Sequence, residues 1–352
     1  MTSGTSTAAA VSPDSGRHWS AEGAWPVAPG IHRIPLPLPM DGLKAVNVYV
    51  VEGDDGLTLV DGGWAIPVAR ELLERSLKSI GSGLGDIRRF LVTHVHRDHY
   101  TMASVLGGEY GASVALGVDE KPALDLLNEW EPGHPMFTPV LARAGAAGIA
   151  ERWAANAPDS VDLDQWRTPD TWLAGDQTIE LPGRTVDAVH TPGHTPGHYV
   201  FADRAANLLF AGDHVLPTIT PSIGFVVPTP AQPLADFLGS LARVRSLPDL
   251  RLLPAHGPVA PSSHARVDEL LGHHEHRLDQ CLASLRDRRT ATAAVVAGDL
   301  GWTRHERAYD ELDTFNKGMA AFETLAHLDL LVARGLATST AHAEGDVFAP
   351  AG

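Results

Sequence analysis

Apolar residues recur along this chain in two rhythms. Alternating or continuous apolar runs predict strands at Asn47–Val51, Leu57–Val60, Arg89–Thr93, Thr185–Val189, Tyr199–Ala202, Asn207–Ala211 and Arg251–Leu253. The first two flank Gly53-Asp54-Asp55-Gly56, which reads as a hairpin turn. Ile31 to Pro39 mixes apolar residues with proline, which suits an edge strand or an extended arm, because proline has no amide for a ladder on both sides. Helical spacing runs through Val68, Leu72, Leu73, Leu77 and Ile80, and again through Leu234 to Ser246.

Three stretches depart from this texture. Residues 1–28 are rich in Ser, Thr, Ala, Gly and Pro and read as a flexible leader. Between about 117 and 170, Asp119–Trp130 and Val140–Ala155 read as helices of an insertion. From Ser262 onward, Val267, Leu270, Leu271, Leu278, Cys281, Leu282 and Leu285 form one stripe of a long helix. Helices over Thr292–Leu300 and Gly318–Arg334 follow, then a hairpin over Gly335–Ala349, which is the winged-helix order. The expected division is therefore a leader (1–28), a main domain (29–261) carrying the insertion, and a C-terminal module (262–352).

Composition narrows the function classes. The 352 residues, 44% of them hydrophobic, supply enough apolar surface for a sizeable core. A net charge of −16 disfavours bulk binding to nucleic acid or anionic membrane. No apolar run reaches the length of a membrane span, and the N-terminus lacks the pattern of a signal peptide. A single cysteine, Cys281, excludes an internal disulfide framework and fits a reducing compartment, so a cytoplasmic location is expected.

Histidine changes the picture most. Thr93-His94-Val95-His96-Arg97-Asp98-His99 holds four potential ligands directly after an apolar strand. The two-residue spacing of His94 and His96 would project both to one side of a strand end. Imidazole and carboxylate without thiolate suit zinc, iron or manganese rather than a structural zinc knuckle. His194, Asp213 and His256 each follow another apolar run and are framed by glycine or proline, which fixes a side chain at a sheet edge. An exposed histidine-rich turn is the alternative for 94–99, and a turn residue is the alternative for Asp213 alone. The ordered set outweighs both.

With these motifs in this order, the sequence resembles a metallo-β-lactamase-superfamily hydrolase, from about Ala45 to Pro261. It is most similar to the glyoxalase-II-like and lactamase-beta-like subgroup, which also carries a C-terminal winged-helix-like module. The resemblance implies an α+β fold, a four-layer αβ/βα sandwich with metals at one edge. It implies one metal on His94, His96 and His194, a second on Asp98, His99 and His256, and Asp213 as the bridge. It also implies that Asp61 supports the site from behind the ligands. Two divalent ions, zinc with iron or manganese as alternatives, would activate a bridging water, and Asp98 would orient it and pass on its proton.

His190 and His198 compete with His194 by position. We assign both to the surroundings of the site, with His190 behind the ligands. His273, His274 and His276 are read as a solvated helix face, although their spacing could bind metal. His134, His264, His305, His327 and His342 are read as surface residues. Trp130, Phe137, Trp153 and Trp166 either line a substrate pocket or form the insertion's own core, and Phe225 is a further candidate wall. The expected substrate is a small acyl compound, most of all a thioester on coenzyme A, an acyl carrier or glutathione. A lactone is the alternative on the same site. Cleavage of single-stranded RNA or DNA, or a non-enzymatic nucleic-acid-binding regulator, are further readings. Charge speaks against both: residues 262–352 carry 9 Lys and Arg against 14 Asp and Glu, and Arg334 is the only basic side chain of Gly318–Arg334. A homodimer contact through the module is a further expectation.

Overall fold

The computed structural model describes residues 10–39, 42–129, 136–155, 162–303 and 306–352. In chain order it contains β1 (Val11–Ser12), β2 (Arg17–His18), β3 (Trp25–Ala28), β4 (Ile31–Pro37), β5 (Ala45–Gly53), β6 (Gly56–Val60), α1 (Pro67–Ser79), β7 (Ile87–Leu91), α2 (Arg97–Tyr110) and β8 (Ser113–Gly117). The insertion follows as α3 (Lys121–Asn128), α4 (Thr138–Arg143) and α5 (Ala147–Ala154). Then come β9 (Thr171–Leu173), β10 (Gln177–Leu181), β11 (Arg184–His190), β12 (Tyr199–Asp203), β13 (Leu208–Gly212), α6 (Pro233–Ser246) and β14 (Arg251–Pro254). The chain ends with α7 (Ser263–Arg288), α8 (Ala293–Asp299), α9 (Thr314–Ala333), β15 (Ala337–Thr340) and β16 (Val347–Pro350).

Strands β3 to β9 form a seven-stranded sheet in sequence order, and β10 to β14 form a five-stranded sheet. Both faces of each sheet are apolar, and the period-two alternation divides them. In β12, Tyr199 and Phe201 face the other sheet, while Val200 and Ala202 face outward toward the helices. In β5, Tyr49 and Val51 point to the inter-sheet core, and Val46, Val48 and Val50 to the α1–α2 side. Three cores thus separate four layers, which is the α+β sandwich expected.

The outer core beyond the five-stranded sheet is shared. It joins Leu141, Ile149 and Ala150 of the insertion, Leu234 and Phe237 of α6, and Leu278, Phe322, Leu325 and Phe348 of the C-terminal elements. Arg143 of α4 fixes this union: its Nη1 bonds Asp329 of α9 at 2.8 Å, and its Nε bonds Asp346 of the β15–β16 hairpin at 2.7 Å. The expected helix over Val140–Ala155 is two helices. Gly145 sits between them at φ 77°, and a Cβ there would lie 2.6 Å from Thr292 Oγ1. Trp166 stacks on Tyr100 at 6.3 Å, on the α2 side of the molecule.

Two further expectations are corrected. From Val11 the supposed leader is part of the fold: β3 is the sheet edge, and Ser12 is fully buried. The Asp14 carboxylate pairs with Arg33 at 2.8 Å, both side chains being completely buried. Residues 1–9 lie outside the described set. Because β3 is the edge, β4 is an interior strand. It tolerates Pro35 and Pro37 because β3 pairs only as far as Arg33, which leaves the outer side of both prolines without a partner strand. Among the described residues no helix is long and apolar enough to cross a membrane.

Candidate metal centre

The ligand candidates all follow the C-terminal ends of strands. Asp61 follows β6, His94 and His96 follow β7, His194 follows β11, Asp213 follows β13 and His256 follows β14. β6–β7 and β13–β14 are parallel pairs, so these ends reach one edge of the sandwich. Strand β7 stops at Leu91, so His94 and His96 do not converge through a strand's pleat. The loop itself brings them together. Helix α2 then starts at Arg97 and puts Asp98 in its first turn, where the helix dipole favours a carboxylate.

The side chains meet in two groups. In the first, His96 Nδ1 lies 3.0 Å from His94 Nε2 and 3.1 Å from His194 Nε2, and His194 Nε2 lies 3.5 Å from Asp213 Oδ2. In the second, His99 Nε2 lies 3.6 Å from Asp98 Oδ2 and 3.7 Å from Asp213 Oδ1. His256 Nε2 lies 3.4 Å from Asp98 Oδ2 and 3.3 Å from Asp213 Oδ1. Asp213 therefore turns one oxygen to each group. A tetrahedral ion with bonds of about 2.0–2.2 Å spaces its ligands by about 3.3–3.6 Å, and the contacts of both groups, from 3.0 to 3.7 Å, lie within a few tenths of an ångström of that.

Hydrogen bonds fix which nitrogens are free. Nδ1 of His194 donates to the Ser222 carbonyl at 2.8 Å, and Nδ1 of His256 to the Ala45 carbonyl at 2.8 Å. His99 Nδ1 donates to Asp61 Oδ2 at 2.9 Å. The Thr93 hydroxyl donates to Asp61, so it accepts from His94 Nδ1 at 3.0 Å. In the neutral rings, all four Nε2 lone pairs are left facing inward, the arrangement a histidine ligand needs. Nε2 of His99, Nε2 of His256 and Oδ1 of Asp213 are buried without a hydrogen-bond partner among the described residues, so the donor set fits divalent cations.

Electrostatics agree. Burial works against a charged His99, but Asp61, Asp98 and Asp213 outweigh it and push its pKa up to about 9. His256 is raised for the same reason, against burial, chiefly by Asp213. Burial also opposes ionisation of Asp213, yet His256 and His99 hold its carboxyl well below the usual range. In the first group, burial and then His194 depress His96 to about 3, which keeps that ring neutral. The centre attracts positive charge at its carboxylates and offers neutral nitrogens around them.

The support behind this centre was only partly visible in the sequence. Asp61 lies behind His99 and Thr93, at φ 62°, with Oδ1 held by the Thr93 amide at 2.8 Å. His190 does not. Its Nε2 meets the Pro196 carbonyl at 2.9 Å and its ring packs on Tyr199, away from the ligands. The buried histidine behind Asp213 is His198, whose Nε2 accepts the Asp213 amide at 3.2 Å. Gly212 permits this approach: its φ is 50°, and a Cβ there would lie 2.6 Å from His198 Nε2. Arg33 and Asn47 carry no motif that would single them out in the sequence. Arg33 Nη1 donates to Asn47 Oδ1 at 2.8 Å, and Asn47 Nδ2 donates to the Pro254 and Gly257 carbonyls at 2.9 Å, on either side of His256.

Aromatic side chains line one flank. Phe225 lies 6.4 Å from His96 between ring centres, stacks on Phe137 at 4.6 Å and meets Trp153 at 6.1 Å. Phe315 and Phe322 of α9 complete the cluster. Phe137 and Trp153 of the insertion thus form a core shared with α9 that ends as a wall beside the metal centre, whereas Trp166 does not take part. Trp130 lies outside the described residues.

Comparison with known proteins follows the same lines. The probable metallo-hydrolase YqjP of Bacillus subtilis is 26% identical over 318 residues, 87% of this chain and 93% of that protein. The atrochrysone carboxyl ACP thioesterase of Aspergillus fumigatus is 26% identical over 257 residues, 72% of this chain and 47% of that protein. The crystal structure of a beta-lactamase domain protein from Burkholderia ambifaria has a TM-score of 0.80 at 25% identity, covering 97% of this chain and 98% of that one. A sequence model of the metallo-beta-lactamase superfamily matches residues 41–256. With its sandwich fold and its His/Asp clusters at one sheet edge, this chain belongs to the metallo-β-lactamase superfamily and is a hydrolase that uses divalent metal.

Proposed function

We propose that this chain is a binuclear zinc hydrolase of acyl thioesters. The observation that carries the reading is the meeting of two ligand groups at Asp213, with an aromatic wall starting beside His96. In this reading His94, His96 and His194 would hold one ion, Asp98, His99 and His256 would hold the other, and Asp213 would serve both. Two such ions supply Lewis acidity toward a carbonyl and an activated water. The chain's own residues do the rest. His99, His194 and His256 are held by Asp61, Ser222 and Ala45, so they need not reorganise as charge develops. Asp98, the most accessible member of its group at 14% side-chain exposure, orients the water and takes its proton. A thiol leaving group with a pKa of about 8.5 departs without needing a strong acid.

Phe225 and Phe137 provide flat apolar surface for the acyl group. The relative named as an ACP thioesterase supports the thioester class. Helix α9, the segment a winged helix would use to read nucleic acid, is buried along Ala320–Phe322 and Thr324–Leu328, which speaks against the nuclease reading. The test compares kcat/KM on acyl-CoA, acyl carrier and lactone substrates with that on single-stranded RNA and DNA, with Asp213→Ala as control. Thioesters are expected to lead. Nuclease turnover above every acyl activity, lost in Asp213→Ala, would overturn the reading.

A further inference from the structure

Away from the catalytic centre, a second set of histidines lies between α7 and α9. His274 and His327 are both completely buried, which contradicts the solvated and surface positions expected of them. Their hydrogen bonds can be followed proton by proton. His327 Nδ1 faces the Glu323 carbonyl at 2.7 Å and must donate to it. Burial keeps this ring neutral, with its pKa pushed down to about 4, so its Nε2 carries a bare lone pair. That lone pair faces His274 Nδ1 at 3.2 Å, so His274 donates from Nδ1. Burial, and then His327, hold His274 neutral as well. Its Nε2 is therefore a second bare lone pair. It is buried and has no hydrogen-bond partner among the described residues.

Two other ligand groups stand beside this ring. His273, next on α7, and Glu323, on α9, each place a ligand atom within 4.8 Å of the other and of one on His274. The Glu323 carboxylate has no hydrogen bond or ion pair among the described residues, and burial shifts its pKa upward despite Arg277. A buried imidazole lone pair is costly unless something binds it, and Glu323 offers a carboxylate within reach of the same ring.

We propose that His273, His274 and Glu323 form a third metal site, separate from the catalytic pair, which takes a divalent transition ion such as zinc and clamps α7 to α9. The donor set of two imidazoles and one carboxylate is one that zinc accepts, with a further position open to water. The His274–His327–Glu323 carbonyl relay is the outer support that a ligating histidine requires. His273 is exposed, so its side chain has room to settle at a tetrahedral edge of about 3.3–3.5 Å from its neighbours. The helices are already held together nearby, where Arg334 of the α9 end bonds Glu275 of α7 at 2.8 and 2.9 Å. Arg277 also faces this point, but it is bonded to Gln280 and the Gly301 carbonyl and stacked on Trp302. Its charge repels any cation, so the site selects ions that bind nitrogen lone pairs over calcium or magnesium.

The site sits one aromatic layer from the catalytic edge. Phe237 packs against His274 at 5.4 Å and against His214, the neighbour of Asp213, at 5.0 Å. Helix α9 also carries Phe315 and Phe322 of the aromatic wall. An ion here would fix the helix that shapes that wall.

The proposal is tested on the full chain with His273→Ala, an exposed position, and Glu323→Gln, an isosteric change. Zinc content is measured after equilibrium dialysis, together with the rise in Tm on adding zinc and the anomalous density of zinc-grown crystals. Wild type is expected to hold one equivalent more than either variant, to show a peak between α7 and α9, and to gain a Tm increment that both variants lack. The peak at His94–His256 stays in all three. Equal zinc content and equal Tm gain in wild type and variants, or anomalous density confined to the His94–His256 centre, would overturn it.

Discussion

The backbone amide of Asp213 donates to His198 Nε2 at 3.2 Å, and Nδ1 of the same ring is bonded to the Thr191 hydroxyl at 2.9 Å. One buried imidazole thus fixes the residue that both ligand groups share. His198 is a positioning residue, and its loss should displace Asp213. His198→Ala is expected to lower kcat/KM and metal affinity about 10–100-fold. His190→Ala should change both far less, and His194→Ala should cost more than either. Metal titration with steady-state kinetics on the three variants gives the order. A His190→Ala variant more damaged than His198→Ala would refute it.

Asp213 carries the second prediction. Without its carboxylate, two cations would face each other with no shared anion between them. Asp213→Ala should retain the fold, as followed by circular dichroism, but bind at least one metal fewer and lose turnover. Near-native activity with full metal content would show that Asp213 is not the bridge.

The third concerns the N-terminal segment. Asp14 and Arg33 are a fully buried pair, so Asp14→Ala leaves an uncompensated guanidinium beside Asn47. Breaking a buried pair from one side costs about 3–5 kcal/mol. Urea unfolding should register a loss of this order. Because Asn47 holds the loop of His256, metal affinity should fall as well. A variant with wild-type midpoint and metal affinity would show the segment to be an ornament.

Glu120 supplies a pH dependence. Its side chain is completely buried, and burial raises its pKa from 4.5 to about 7, although a hydrogen bond from Thr195 opposes the shift. Between these values the folded chain keeps a proton that the unfolded chain has released, so this group makes stability fall as pH rises through the window. Glu120→Gln is neutral throughout. Its stability relative to wild type should therefore rise between about pH 5 and about pH 8, by on the order of 1–3 kcal/mol. Chemical denaturation at both pH values measures the difference, and a flat or falling difference would show that Glu120 is ionised in the fold.

The candidate ligand residues stood out because their pattern is local. His94 to His99 follow an apolar strand, and His194, Asp213 and His256 are each framed by glycine or proline, so residue type and position single them out as candidates. Continuous apolar runs likewise marked β5, β12 and β13, since a strand buried on both faces must be apolar throughout. What escaped the sequence depends on contacts between distant segments. Arg33 is enclosed by Asp14 and Asn47, 19 and 14 residues away along the chain. His198 and His190 are equivalent by spacing, and only the fold turns one toward Asp213 and the other toward Pro196. His274 reads as part of a solvated helix face until α9 covers it with His327. A side chain's type is set by the sequence alone. Whether it is charged, paired or free to bind a cation is set by burial and by its neighbours, and those exist only once the tertiary structure has formed.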